Sequence, residues 1–173
     1  MKAAGCTKKL HIKLISMGDV EVGKSCLIKK YCEGNFVNEY ITTIGIDYGV
    51  KKVPFNDTLV AINIFDLSGD DDYKTVRKPY YKDSTGVLLV YDVNIKATFD
   101  NLPKWEKEAE NCGLDIKKCA VVVIGNKTDL KKREVKTETA KDWARQRGYQ
   151  FYEASAKNGS NVQECFKYLF EAM

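Results

Sequence analysis

A chain of 173 residues, 44% hydrophobic and 30% charged, has the size and composition of one soluble globular domain, able to bury roughly two-thirds of its extended surface. Its formal charge of +4 comes from single lysines and lysine pairs such as Lys8-Lys9, with Lys13 nearby, which reads as a solvated face and argues against a nucleic-acid or lipid surface. No apolar run approaches the roughly 18 residues that span a bilayer, and no signal-peptide pattern opens the chain.

Residues 1–9 read as a flexible N-terminus and residues 10–173 as the folded domain. "HIKLISM" (11–17) reads as a strand that His11 opens in a structural role. A loop from Gly18 to Ser25 follows, then a short helix "CLIKKYCEG" closed by Gly34. "IDYGVKKV" (46–53) and "TLVAINIFD" (58–66) are two strands joined by the turn residues Asn56-Asp57, a hairpin. "GVLLVYD" (86–92) and "CAVVVIGN" (119–126) are continuous apolar runs, as expected for the middle of a parallel sheet covered on both faces. Between them, residues 98–112 form a helix with Phe99, Leu102, Trp105 and Ala109 on one face, and Pro103 is tolerated in its first turns. Residues 137–148 form a second amphipathic helix ending at Gly148, residues 149–153 a last strand, and Asn161 caps a final helix carrying Val162, Cys165, Phe166, Leu169 and Phe170. The sum is a three-layer α/β domain with six strands in a mixed sheet and about five helices.

The six cysteines, at 6, 26, 32, 112, 119 and 165, show neither CxxC nor metal-ligand spacing, which points to free thiols in a reducing compartment. The chain ends "YLFEAM" without a prenylation cysteine, and Lys2 stands where myristoylation needs glycine. This chain is therefore expected to carry no lipid anchor.

"GDVEVGKS" (18–25) matches G-x-x-x-x-G-K-[ST] and lies between a strand and a helix, where its backbone N–H groups can cradle phosphate oxygens. Lys24 would reach the β- and γ-phosphates, and the Ser25 hydroxyl would face Mg²⁺. Asp66, at the end of an apolar strand, can hold a water of the Mg²⁺ shell, and Gly69 allows close backbone approach to a γ-phosphate. "NKTD" (126–129) follows the strand "VVVIG". Asp129 can accept two N–H donors from the guanine edge, a pattern adenine cannot offer. Asn126 would tie this loop to the phosphate loop, and the Lys127 stem would flatten over the base. "SAK" (155–157) would supply backbone donors to the guanine oxygen.

With GxxxxGKS, "TTIGID" (42–47), DxxG, NKxD and SAK in order, the chain resembles a Ras-superfamily small GTPase of the Rab branch over residues 10 to 172. The resemblance implies the P-loop NTPase fold and the cofactors GTP/GDP and Mg²⁺. It places nucleotide contacts on Gly18, Val20, Glu21, Val22, Gly23, Lys24, Ser25, Cys26, Phe36, Tyr40, Thr43, Gly69, Asn126, Lys127, Asp129, Leu130, Ser155, Ala156 and Lys157. Phe36 would lie across the guanine. Ser25, Thr43 and Asp66 would serve the metal, and Asp70, Gly69, Lys24 and Thr43 would stand at the reacting phosphate. Switch I spans about residues 35 to 46 and switch II about 67 to 81, and effector and regulator proteins would dock across residues 35–81. The resemblance further implies a monomer in the cytoplasm or nucleus, reaching membranes only through partners. "TIGIDYGVKKV" and "VRKPYYKDSTGVLLVYDV" are similar to the RJL group, Rab-like GTPases that often carry a C-terminal J domain. No J domain follows here, which leaves open a shortened chain or a natural single-domain form.

Two positions depart from the family. Where the water-orienting glutamine should follow Gly69, this sequence has Asp70, then Asp71 and Asp72; Val20 occupies the phosphate loop where a branched side chain crowds an incoming arginine finger. A carboxylate can only accept hydrogen bonds and adds negative charge beside an anionic transition state, so slow intrinsic hydrolysis and weak response to Rab-activating proteins are expected. A plain solvated acidic turn is the simpler account of the three aspartates. Three functions remain: a low-turnover guanine-nucleotide switch, a near-permanently GTP-bound adaptor, and a small-molecule kinase, which NKTD and SAK disfavour.

Overall fold

The continuous apolar runs of the sequence lie where helices cover both of their faces. The computed structural model describes residues 11–35, 42–55 and 58–173. Within them, strands β1 (His11–Met17), β2 (Ile46–Phe55), β3 (Thr58–Leu67), β4 (Gly86–Asp92), β5 (Ala120–Asn126) and β6 (Gln150–Glu153) form one sheet in the order β2-β3-β1-β4-β5-β6. β1 runs parallel to β3 and β4, β4 to β5, and β5 to β6. Only β2 is antiparallel, pairing with β3 from Ile46↔Leu67 to Phe55↔Thr58, which is the expected hairpin. Its turn residues, Asn56 and Asp57, lie outside the described residues. As an edge strand β2 tolerates Pro54, which a central strand would not.

Helices α1 (Lys24–Glu33), α2 (Lys74–Tyr81), α3 (Lys96–Asp100), α4 (Leu102–Asn111), α5 (Thr137–Gln146) and α6 (Val162–Ala172) complete the domain. α1 and α6 cover one face of the sheet, where Leu27, Ile28 and Tyr31 meet Phe166 and Leu169 over Leu14, Ile64, Val90 and Ile124. The Tyr31 and Phe166 rings stack with centroids 4.0 Å apart. α2 to α5 supply the other face, burying Tyr81, Phe99, Leu102, Trp105 and Ala140 against Ile15, Leu89, Tyr91 and Val123. β4 is buried along its whole length, as its apolar run requires.

Three local expectations change. The single helix over 98–112 is two helices, α3 and α4, meeting at Asn101. Pro103 has no N–H to donate and its ring excludes the carbonyl four residues back, so the ladder restarts there. Asn161 occupies the N-cap position of α6 but caps nothing with its side chain; it stands at φ 56° and donates instead to the Glu153 carbonyl at 2.7 Å. Residues 74–81, read only as part of switch II, are helical despite Pro79.

Among the described residues, Cys26, Cys32, Cys112, Cys119 and Cys165 are free thiols, and no helix is long and apolar enough to cross a membrane.

Candidate functional site

In an open α/β sheet, ligands bind outside the carboxyl ends of the strands where the strand order reverses. Here that place is the end of β1, whose neighbours β3 and β4 lead to opposite edges of the sheet. The loop at residues 18–23 begins there and runs directly into α1. Glu21 takes φ 64° and Gly23 φ 92°, a backbone course that turns successive N–H groups inward. A Cβ at Gly23 would run into the Asn126 amide, so only glycine lets the two loops touch.

Lys24 is buried, and its ammonium donates to the carbonyls of Gly18 and Asp19, both at 2.8 Å. Burial lowers its pKa to about 8, against the pull of the Asp66 and Asp19 carboxylates. A buried ammonium whose charged form burial disfavours would be stabilised by an anion bound beside it.

Beside it, three oxygens from separate elements converge. Ser25 opens α1, Thr43 precedes β2 and Asp66 nears the end of β3. The Ser25 and Thr43 hydroxyls are 2.9 Å apart, and Ser25 donates to Asp66 Oδ2. Ser16 of β1 donates to Asp66 Oδ1 at 2.6 Å and accepts the Leu67 N–H at 3.2 Å. Burial nonetheless leaves the Asp66 carboxyl above its usual range, because the hydrogen bonds from Ser16 and Ser25 do not offset it. Two hydroxyls and a carboxylate short of positive charge are the oxygen donor set that Mg²⁺ takes, so the residues fit that ion.

The base end is built at the tip of β5. Asn126, buried, donates to the Val22 carbonyl at 2.8 Å and accepts from the Ala156 N–H at 3.2 Å. It thereby joins the phosphate loop, the NKTD loop and the SAK segment. Asp129 is exposed, and its Oδ1 accepts from the Ser155 hydroxyl at 2.6 Å. The Lys127 ammonium pairs with Asp92 at 2.8 Å, a partner sequence reading did not supply. Val22 and Ala156 are buried, so only their backbones can face a ligand; Leu130 is exposed, Lys157 is exposed and Cys26 is half-buried. Phe36 and Tyr40 lie outside the described residues.

At the opposite end, Gly69 abuts the phosphate loop so closely that a Cβ would strike the Asp19 and Val20 backbone. The Ser68 N–H donates to the Gly45 carbonyl at 2.9 Å, joining the segment before β2 to the segment after β3. Asp70 turns its carboxylate to the Asp72 N–H at 3.0 Å, capping a 3₁₀ turn at Asp71–Tyr73 that leads into α2. Val20 is exposed beside it.

Sequence reading missed three participants besides Asp92. Ser16 orients Asp66. Asp19 places one carboxylate oxygen on the Trp105 indole N–H and the other on the Asn101 amide, each at 2.7 Å, fastening the phosphate loop to α4. Arg77 is fully buried and donates to Glu108 and to the switch II backbone. An aspartate inside a phosphate loop is the one signal that could have prompted a search for its partner.

A family model described as Ras family matches residues 13–173. The chain is 44% identical over 170 residues to DnaJ homolog subfamily C member 27 of Danio rerio, covering 96% of this chain and 62% of the relative. It is 45% identical over 170 residues to the protein of the same name in Gallus gallus, with the same coverage, and 44% identical over 164 residues to that of Homo sapiens, covering 92% and 60%. The chain thus spans about three-fifths of the length of these relatives. With the strand order, the phosphate loop and the NKTD–SAK junction in place, the chain belongs to the Ras family, as a small GTPase domain of the Rab-like RJL type.

Proposed function

We propose that this chain is a guanine-nucleotide switch that binds GTP, GDP and Mg²⁺ and hydrolyses GTP slowly. The observation that carries the reading is the meeting of Ser25, Thr43 and Asp66 beside the buried ammonium of Lys24. Lys24 and the loop N–H groups hold the phosphates. Ser25, Thr43 and Asp66 hold the ion, which when bound offsets the charge that grows on the phosphate oxygens. Asp129, steadied by Ser155, accepts the guanine N–H donors, and Asn126 keeps base and phosphate loops in register. Effectors and regulators dock across residues 35–81, where Ile44, Tyr48, Val50 and Val76 are exposed.

Slow hydrolysis follows from Asp70. Its carboxylate is engaged by the Asp72 N–H and, unlike glutamine, has no N–H to offer an attacking water or the phosphate. The test is single-turnover cleavage of bound GTP at saturating Mg²⁺. Wild type should be nearly inert, with Asp70→Gln faster and Val20→Gly adding response to an activating protein, whose arginine can contribute up to about five decades. A wild type that cleaves at an ordinary small-GTPase rate sinks the reading of Asp70.

The capping role of Asp70 also favours a second reading, an adaptor that keeps GTP almost permanently. Nucleotide content separates the two: GTP persisting through purification identifies the adaptor, and GDP identifies the switch.

A further inference from the structure

Among the described residues Arg77 is one of the large side chains that are fully buried, and none of the contacts assigned above to nucleotide or ion is its own. Its Nε and Nη2 fork onto the two oxygens of Glu108 at 2.6 and 3.0 Å, a bidentate pair linking α2 to α4. Tyr81 donates to the same carboxylate at 2.8 Å. Asp71 lies 3.6 Å from Nη2, and Lys74 lies 3.9 Å from Glu108 on the outer side. The remaining nitrogen, Nη1, donates to two main-chain carbonyls, that of Ser68 at 3.3 Å and that of Asp70.

Those two carbonyls bracket Gly69. A peptide group is planar and trans, so fixing the Ser68 carbonyl fixes the direction of the Gly69 N–H on the other side of the same plane. The residue so held is the one whose backbone presses on Asp19 and Val20. The guanidinium also lies over the Trp105 ring, 4.7 Å from its centroid, and that indole donates to Asp19 of the phosphate loop. Arg77 therefore touches the switch II main chain through Nη1, α4 through its fork, and the phosphate loop through one intervening ring.

We propose that Arg77 is a positioning residue for the γ-phosphate: it aims the Gly69 peptide at the third phosphate and so sets the preference for GTP over GDP without touching either. This rests on the guanine-nucleotide reading above. GDP ends before Gly69 is reached, so its affinity should not depend on the aim of that peptide. Lysine cannot substitute, because a single ammonium lacks the planar fork that holds Glu108 and the carbonyls together.

The experiment measures equilibrium affinities for GDP and for a β,γ-imido GTP analogue, in the presence of Mg²⁺. It compares wild type, Arg77→Lys, and Arg77→Met combined with Glu108→Gln. The paired variant leaves no lone buried charge and keeps an acceptor for Tyr81, which protects the fold. The expected result is an analogue affinity lower by about tenfold or more in both variants, with GDP affinity within about twofold of wild type, a coupling of the usual allosteric size. Equal losses for both nucleotides would make Arg77 merely structural and overturn the proposal, as would no change in either. A wild type that binds neither nucleotide would overturn the guanine-nucleotide reading itself.

Discussion

Asn126 holds the base end of the site with two hydrogen bonds between neutral groups, in a place where β5 already fixes the backbone. Switch II is held by a cation, Arg77, whose partners come from α4 and from a loop. Neutral hydrogen bonds contribute modestly when made, about 1 kcal/mol each, and fail one at a time. A buried ion pair contributes little net stability when whole, but removing either partner strands a charge. The Asn126 joint should therefore weaken one bond at a time, while the Arg77 cluster should fail as a unit when one partner is lost.

The largest effect should come from breaking that unit. Arg77→Met alone leaves the Glu108 carboxylate buried and uncompensated, and should lower unfolding free energy by about 3–5 kcal/mol, with most of the loss recovered when Glu108→Gln is added. Urea denaturation of the single and paired variants measures both; equal loss in the two would mean that the pair is not the source.

Asn126→Ala strikes the joint at the base end. It orphans the buried Val22 carbonyl and Ala156 N–H at about 1–3 kcal/mol for each group, and it should weaken nucleotide binding in parallel with stability. Thermal melting with and without GDP reads both. Asp129→Ala should instead cost affinity and spare the unliganded fold, because Asp129 is exposed.

The pH dependence comes next. Lys24 of the free protein loses its proton through a pH of about 8, well below the 10.5 of an unfolded lysine. Phosphate binding favours its charged form, so above that pH binding takes up a proton. GDP affinity should then fall as pH rises, by at most about tenfold per pH unit. Stability of the unliganded protein runs the other way. The unfolded chain binds the extra proton between about 8 and 10.5, so the folded state gains over that window as pH rises. Titrating affinity and melting temperature on either side of pH 8 checks both signs.

The smallest effect belongs to the cap. Asp70→Ala should cost about 1 kcal/mol through loss of the bond to the Asp72 N–H, whereas Asp70→Asn should cost little, since asparagine caps as well as aspartate. Chemical denaturation resolves the difference.

Much of this architecture was legible in the sequence because it is local. The apolar runs of β4 and β5, the loop GDVEVGKS and the junction NKTD carry their meaning within eight or fewer neighbouring residues. What escaped notice depends on partners far apart in the chain. Arg77 meets Glu108 across 31 positions and Trp105 meets Asp19 across 86, and neither pair leaves a periodic trace. Nothing local marks Arg77 as buried, since it stands among lysines in a short segment containing Pro79. Asn161 shows the converse: a residue type suited to capping stands in the left-handed region at φ 56°, and its amide donates to the Glu153 carbonyl while capping nothing. The acidic run at 70–72 was legible as a missing glutamine, but its role as a helix cap needed the backbone in place.

Trp105 touches the phosphate loop with its indole N–H and the switch II cation with its face, and it is buried. Its emission is expected to shift when either contact changes. The only other tryptophan of the sequence, Trp143, packs on the Arg147 guanidinium at 3.9 Å and on the rings of Phe99 and Tyr149. Trp105 emission should thus serve as a built-in optical gauge of the loop at residues 18–23 and of switch II, without an attached dye.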